Sequence, residues 1–383
     1  MLDFTSALYL GLRHPSWCLK PWKQLTTGRP AALIAAPSHV GVAKAAASLV
    51  GCERATLGSS TLHLFWDLFG MLREGTAIYM DAGVYPIGRW GVERAAARRI
   101  PVQIFSHHDG EALRRALERS DTHRPRPVVV VADGFCAGCG QPAPITAYLE
   151  IIQQRGGLLV LDDTQALGIL GNSPCTETPF GTGGGGSLRC HNVSHSGVLL
   201  ISSLAKAFGA PLAMLAGSDA MVRTFEAKSE TRMHTSPPSR AAIHAAQRAL
   251  ETNHAHGDKL RQHLAQLVRR FRRRLGQIGL QTIGASFPVQ TLGPLTEINA
   301  ETLHQRLLRS GIRTVLHRAH TVGKPKVSFL ITAGHAPNDI DRAVDAVGHA
   351  SGMRPFTYLS SGETNERAIQ PRGRSFRNRS RTR

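Results

Sequence analysis

The sequence predicts an α/β protein, with a mostly parallel central sheet covered by helices on both faces and a smaller C-terminal α+β domain. Three observations lead there. Seven short, continuous apolar runs alternate with helical segments between residues 54 and 217, as strands buried on both faces do. Near residue 240 the pattern changes to a long basic helical region followed by shorter strand candidates. The 383 residues, 42% of them hydrophobic, are too many for one small core and suit two coupled domains.

In chain order, residues 1–50 form a lead-in. Its end, RPAALIAAPSHVGVAKAAASLVG, predicts a helix capped by Ser38, with Val40, Ala43, Ala47 and Val50 at helical spacing. The large domain is expected over 51–240. Its strands are RATLG (54–58), TAIYM (76–80), VQIF (102–105), VVVVA (128–132), LLVLD (158–162), VLLIS (198–202) and LAMLAG (212–217). HDGEALRRALERS and ITAYLEIIQQRGG carry the 3.6-residue apolar period between them. FGTGGGGSLRCHNVSHSG reads as a mobile loop, because successive glycines carry a large ordering entropy. Residues 241–350 read as a linking helix and a small domain, with strands near 287–292, 312–316 and 326–332 and a last helix in PNDIDRAVDAVGHA. Residues 351–383 read as a basic, disordered tail.

The formal charge is +19, and the segment from Arg354 to Arg383, with eight arginines and two glutamates, supplies +6 of it. The remainder is spread over arginine-rich helices, and no nucleic-acid recognition motif accompanies it. A basic enzyme that attracts anionic substrates is the expectation, and nucleic-acid binding is not. No run approaches the 18–20 or so apolar residues of a membrane span. The start, MLDFTSALYLGLRH, has no basic n-region, and six scattered cysteines make no disulfide framework, which suits a cytoplasmic protein.

Two segments carry chemistry. In LLVLDDTQALGILG an apolar strand ends in Asp162-Asp163, where open α/β sheets place their ligand crevice. In VLLISSLAKAFGAP another strand runs into a turn of small residues around Lys206. Alone, such a lysine reads equally well as a surface residue that opens a helix. The pair is more informative: a lysine amine forms a Schiff base with pyridoxal 5'-phosphate (PLP), and a carboxylate keeps the pyridine nitrogen protonated. GSSTLHL (58–64) offers hydroxyls and amides at a helix start, suited to a phosphate. Tyr85 follows another strand and reads as a ring-stacking residue or as an ordinary loop aromatic. Cys136-Ala-Gly-Cys139 is a lone CxxC with no second pair at zinc-finger spacing, and His107, His108, His317 and His320 show no ligand spacing, so no metal is expected. GTGGGG lacks the Gly-Lys-[Ser/Thr] of a P-loop.

Over residues 3–350 the chain resembles the α-oxoamine synthase branch of fold-type-I PLP-dependent enzymes, which includes aminooxononanoate synthase, aminolevulinate synthase and serine palmitoyltransferase. LDFTSALYLGL resembles the family's opening N-F-S-S-N-D-Y-L-G-L, LLVLDDTQALGILG its D-[DE]-x-H-x-x-G-x-x-G, SSLAKAFG its T-L-S-K-A-F-G, and FLITAGHAPNDIDRAV its closing small domain. The resemblance implies the fold-type-I transferase fold and a PLP cofactor. It makes Lys206 the Schiff-base lysine and Asp162 the pyridinium partner. Gln165 stands where the family has a histidine bonded to the phenolic oxygen, and Tyr85 at its ring-stacking histidine. Ser60, Thr61 and Ser203 match phosphate-binding positions. Thr235 matches a threonine that reaches the neighbouring subunit's phosphate, which implies a homodimer with shared active sites.

Other positions depart from the pattern. Ser328 stands at the carboxylate-binding arginine and cannot make a bidentate charged contact; Arg89, Arg232, Lys324 and Lys326 are candidates to compensate. The family's glycine-rich G-S-G-G-S-R is here TGRPAALIAAP, and its GG after the lysine is Leu212-Ala213. Two reactions stay open. One is condensation of an amino substrate with an acyl thioester such as acyl-CoA, through a cofactor-stabilised carbanion. The other is transamination of an amine or amino acid lacking the usual carboxylate recognition.

Overall fold

The computed structural model describes residues 1–352 apart from 20, 27, 34–36, 121–125, 296–297 and 318–323. His320 and residues 353–383 of the basic tail therefore lie outside the described residues. The first half runs β1 (Leu2–Asp3), α1 (Pro37–Val50), β2 (Arg54–Gly58), α2 (Thr61–Gly70), β3 (Ala77–Asp81), α3 (Pro86–Ala97), β4 (Val102–Phe105) and α4 (Gly110–Ser120). Then come β5 (Val128–Asp133), β6 (Phe135–Cys136), β7 (Gln141–Pro142), α5 (Ile145–Gln153), β8 (Leu158–Asp162) and α6 (Ser187–Cys190). They are followed by β9 (Val198–Ser203), β10 (Ala213–Gly217), α7 (Asp219–Lys228), α8 (Glu230–His234) and α9 (Arg240–Gln277). The C-terminal part holds β11 (Thr282–Ile283), β12 (Val289–Leu292), α10 (Ala300–Arg309), β13 (Ile312–Arg313), β14 (Val315–His317), β15 (Lys326–Leu330) and α11 (Pro337–Ser351).

The seven expected strands build one sheet in the order β2-β10-β9-β8-β5-β3-β4. Only β10 runs antiparallel to its neighbours. Side-chain alternation divides each apolar run between two cores. Ala77, Tyr79, Val128, Val130, Leu159 and Leu161 face the core shared with α1, α4, α5 and α9. Ile78, Met80, Val129, Val131 and Val160 face the core shared with α2, α3 and α7. Burial on both faces is why these strands read as unbroken hydrophobic stretches.

β11, β12, β15 and β14 form the small antiparallel sheet. The lead-in joins it: β1 pairs with β13, Phe4 O accepts the Leu330 N–H at 2.9 Å, and Phe4 stacks on His335 at 4.4 Å. The strand expected near 312–316 divides at Thr314, one half pairing with β1 and the other with β15.

Two expectations are corrected. Ser38 does not cap α1 but lies inside it, because the helix begins at Pro37, whose fixed φ and missing N–H suit the first helical position. The glycine-rich stretch is packed rather than loose. Its glycines meet φ and contact demands: Gly184 has φ +70°, and a Cβ there would lie 2.3 Å from Arg261. Bridges Leu167–Gly185 and Asn172–Thr182, and the Gly183 N–H on Asp258 at 2.9 Å, hold it against α9.

Candidate active site

The carboxyl ends of β5, β8 and β9 form the floor of the site. Asp133 and Asp162 end β5 and β8 and are direct partners across that ladder. Asp162 is 8% exposed and accepts the Thr164 N–H at 2.9 Å. Burial raises its pKa, against the hydrogen bonds of Thr164 and the charge of Lys206. Asp133 accepts the Tyr85 N–H at 3.2 Å. Burial, and then the charge of Asp162, push it well above the ordinary carboxylate value. Lys206 is half-buried in the turn after β9. Burial lowers its pKa while Asp162 and Asp133 pull it up. Among the described residues no hydrogen bond or ion pair ties down its amine, and Nζ stands 5.7 Å from the centroid of the Tyr85 ring.

Tyr85 is 53% exposed at the start of α3, with Pro86 in the first helical position. Arg89 grips this loop from below, its Nε on Val84 O at 2.7 Å and its Nη2 on Ala82 O. Its guanidinium is thus engaged with backbone carbonyls rather than turned to a substrate. Ser60 caps α2, its hydroxyl accepting the His63 N–H at 3.4 Å and lying 2.8 Å from His63 Nδ1. The Thr61 and Leu62 amides that follow lie in the first turn, where N–H groups have no intrahelical partner and can meet an anion. Ser203 Oγ accepts the Ala205 N–H at 3.2 Å, and Ser203 N–H donates to Thr164 Oγ1 at 3.0 Å. The Thr235 hydroxyl donates to the Thr231 carbonyl at 2.6 Å. Its neighbour Ser236 O lies 3.5 Å from Ser59 Oγ, which sets this segment beside the Ser59–Ser60 turn.

The buried Tyr9 hydroxyl donates to Gln165 Oε1 at 2.7 Å, across 156 residues. That bond assigns the amide oxygen to Tyr9 and leaves Nε2 as the donor available to a ligand. The lead-in also steadies the lysine turn. His14 Nε2 lies 2.9 Å from Phe208 O, and Gly209, at φ +62°, comes so near Leu12 O that a Cβ would stand 2.4 Å from it. Sequence reasoning passed over Tyr9, Thr164 and Asp133. Asp133 had a readable signal, since it ends an apolar run just as Asp162 does; Tyr9 lay within the opening motif without a stated role.

These residues fit PLP. A buried carboxylate, Asp162, and a half-buried one, Asp133, both with raised pKa values, face a single lysine, an imbalance that a protonated ring nitrogen against Asp162 would correct. The small-domain side differs from the expected pattern. Ser328 is fully buried in β15, its hydroxyl 2.6 Å from Thr291 Oγ1. Arg232 points to Thr56 Oγ1 at 3.0 Å. Lys324 and Lys326 are exposed.

Residues 1–347 match the family model described as aminotransferase class I and II. An 8-amino-7-oxononanoate synthase from Thioalkalivibrio sulfidiphilus is 31% identical over 222 residues, 57% of this chain and 54% of that protein. The same enzyme from Alcanivorax borkumensis is 26% identical over 312 residues, 81% of this chain and 76% of that one. The aligned stretch thus spans about half of the first relative and three quarters of the second. Serine palmitoyltransferase from Sphingomonas wittichii superposes with a TM-score of 0.78 at 17% identity, over 91% of this chain and 88% of that one. A second serine palmitoyltransferase structure, holding PLP, gives the same TM-score and coverage at 16% identity. At such identity the structural likeness speaks for the fold.

Proposed function

The chain belongs to the class I and II aminotransferase family, in its α-oxoamine synthase branch, and from that premise we propose that it is a PLP-dependent acyltransferase joining an amino substrate to an acyl thioester. The observation that carries this is the Asp133–Asp162–Lys206 floor with Tyr85 above it. Lys206 would hold the cofactor's aldehyde carbon, Asp162 its ring nitrogen, Gln165 Nε2 its phenolic oxygen, Tyr85 its ring face, and Ser60, Thr61 and Ser203 its phosphate. When bound, PLP supplies an electron sink for negative charge on the substrate carbon.

The chain's own residues then have definite tasks. Lys206 Nζ, its pKa lowered by burial, takes and returns the proton at the substrate α-carbon. Asp162 stays ionised against a cationic partner, and Tyr9 keeps the Gln165 amide turned with its donor inward. Arg89 and Asp133 fix the backbone that presents Tyr85. We further read the active form as a homodimer in which Thr235 serves the partner's phosphate site, as the family pattern implies. The two-domain division at residue 240, where α9 starts, is part of the same reading.

A second reading, transamination of an amine without an α-carboxylate, is favoured by one observation. Ser328 is bonded to Thr291, and Arg89 and Arg232 make their hydrogen bonds elsewhere, so neither of these two arginines stands in for the carboxylate-binding one. CoA release separates the two. Release that requires both an amine and an acyl-CoA is expected; stoichiometric pyridoxamine phosphate with a keto or aldehyde product would replace the first reading by the second. Lys206→Ala should lower turnover by about 10²–10⁴ and abolish borohydride fixation of PLP to the chain. If fixation persists in that variant, the lysine assignment is wrong.

A further inference from the structure

Beside the Lys206 floor lies a polar cluster that the proposed reaction does not use. Asp81 ends β3, His107 and His108 follow β4, and Cys139 lies in the turn joining β6 to β7. Parallel pairing of β4, β3 and β5 brings these strand ends together. One ligand atom from each of His107, His108 and Cys139 lies within 4.8 Å of the other two. Cys139 Sγ is 3.4 Å from His107 Nε2 and 4.0 Å from His108 Nδ1. A tetrahedral zinc, with Zn–S about 2.3 Å and Zn–N about 2.0–2.1 Å, has S···N edges of about 3.6 Å. The two distances straddle that edge.

The groups behind the cluster are arranged for a cation. His107 Nδ1 lies 2.6 Å from Asp81 Oδ1, which keeps the proton on Nδ1 and the Nε2 lone pair toward Cys139. Asp81 is itself held by the N–H groups of Gly83 and His108 and by the Tyr148 hydroxyl. Gly83 is required here, since a Cβ would stand 2.2 Å from the His107 ring. His108 is held at φ +55°, which residues with a Cβ rarely adopt, and its Nε2 is buried without a partner among the described residues. The CAGCG turn supplies a second sulfur. Gly140, at φ +74°, donates its N–H to Cys136 O at 2.8 Å, and the Cys139 thiol donates to the same carbonyl at 3.9 Å.

We propose that His107, His108 and Cys139 bind one zinc-like divalent cation in a structural site, and that Cys136, which lies outside this 4.8 Å cluster, moves in as fourth ligand. Each thiol gives up its proton on binding. The cation would clamp three strand ends and thereby brace the Asp81–Tyr85 loop and the hairpin after Asp133. A Cys139–His107–Asp81 order also suits an activated nucleophile, but that needs one imidazole; the second, His108, turned to the same sulfur, favours the cation.

The test uses full-length, PLP-loaded protein purified from zinc-supplemented medium. Elemental mass spectrometry should find about one zinc per chain, falling at least tenfold in Cys139→Ser and in His108→Asn. Asparagine tolerates the left-handed conformation, so the second variant should keep its fold by circular dichroism. Cys175→Ser, at an exposed thiol, should retain the metal. Cobalt substitution should give a thiolate-to-metal charge-transfer band that weakens in Cys136→Ser; an unchanged band would remove Cys136 from the ligand set. Wild type without stoichiometric metal, Cys139→Ser retaining it, a Cys136–Cys139 disulfide in fresh protein, or selective alkylation of Cys139 in metal-free protein would each overturn the site. None of these readouts depends on turnover.

Discussion

Asp81 and Asp162 end strands of one sheet, separated by β5 alone, yet their surroundings are opposite. Both are buried, and burial alone raises both. At Asp81 the His107 ring and the His108 and Gly83 amides outweigh that effect and hold the carboxyl below its ordinary value. At Asp162 they do not: Thr164 and Lys206 are its favourable partners, and the neighbouring Asp133 is itself pushed up by the Asp162 charge. The first carboxylate is a completed structural acceptor. The second has its charged form disfavoured by burial even with Lys206 nearby, and gains from a further cationic group, as expected of a residue that meets a ligand.

Substituting each carboxylate is the largest test of that contrast. Asp162→Asn should leave the fold near wild type and lower turnover by about 10²–10³, the scale of one lost electrostatic contact at a reacting centre. Asp81→Asn should do the reverse. It leaves buried donors unpaired and costs about 1–3 kcal/mol of stability, read as a lower midpoint in urea, with a smaller change in turnover per folded molecule. If Asp162→Asn unfolds the chain while Asp81→Asn selectively stops turnover, the assigned roles are exchanged.

Asp163 tests the same physics away from the ligand. It is fully buried, and Cβ atoms at Gly134 and Gly186 would stand 2.4 and 2.0 Å from its carboxylate oxygens. Burial raises its pKa to about 7, against hydrogen bonds from Ser187. The unfolded chain releases that proton near the ordinary value of 3.8, so between about pH 4 and 7 the folded state binds more protons than the unfolded one. Stability from this group is therefore greatest at low pH and is lost as pH rises through that window. Asp163→Asn should flatten this part of the urea-midpoint profile and gain about 1–3 kcal/mol relative to wild type at pH 8. A gain that is equal at pH 4 and pH 8 would mean that Asp163 does not titrate there.

The seven sheet strands were legible because double burial writes itself as continuous apolar sequence, with Asp162 and Lys206 marked at strand ends. Contacts without a sequence period were not. Tyr9 meets Gln165 across 156 residues, and His107 meets Cys139 across 32; no spacing rule connects either pair. The glycine-rich stretch misled for a different reason. Composition reports what glycine loses on ordering, but not the left-handed turns and close approach to Arg261 that only glycine allows. Ser38 fits a capping pattern that the preceding proline overrides.

The smallest expected effect separates a positioning residue from a packing one. Tyr9 is buried between the lead-in and the small domain, edge-on to Phe287 at 5.7 Å, and its hydroxyl meets Gln165 Oε1. Tyr9→Phe keeps the ring and its packing while removing the bond that orients the amide. Loss of one neutral hydrogen bond is worth about 0.5–1.5 kcal/mol, or roughly 2- to 10-fold in turnover. The accompanying signature should be a shift in the visible absorption of the loaded protein, because in the proposed site the Gln165 donor would meet the cofactor's phenolic oxygen. Gln165→Leu should give the same shift, and the double variant should add little to either. An altered urea midpoint with an unchanged spectrum would make Tyr9 a core residue alone and leave the orientation of Gln165 to some other partner.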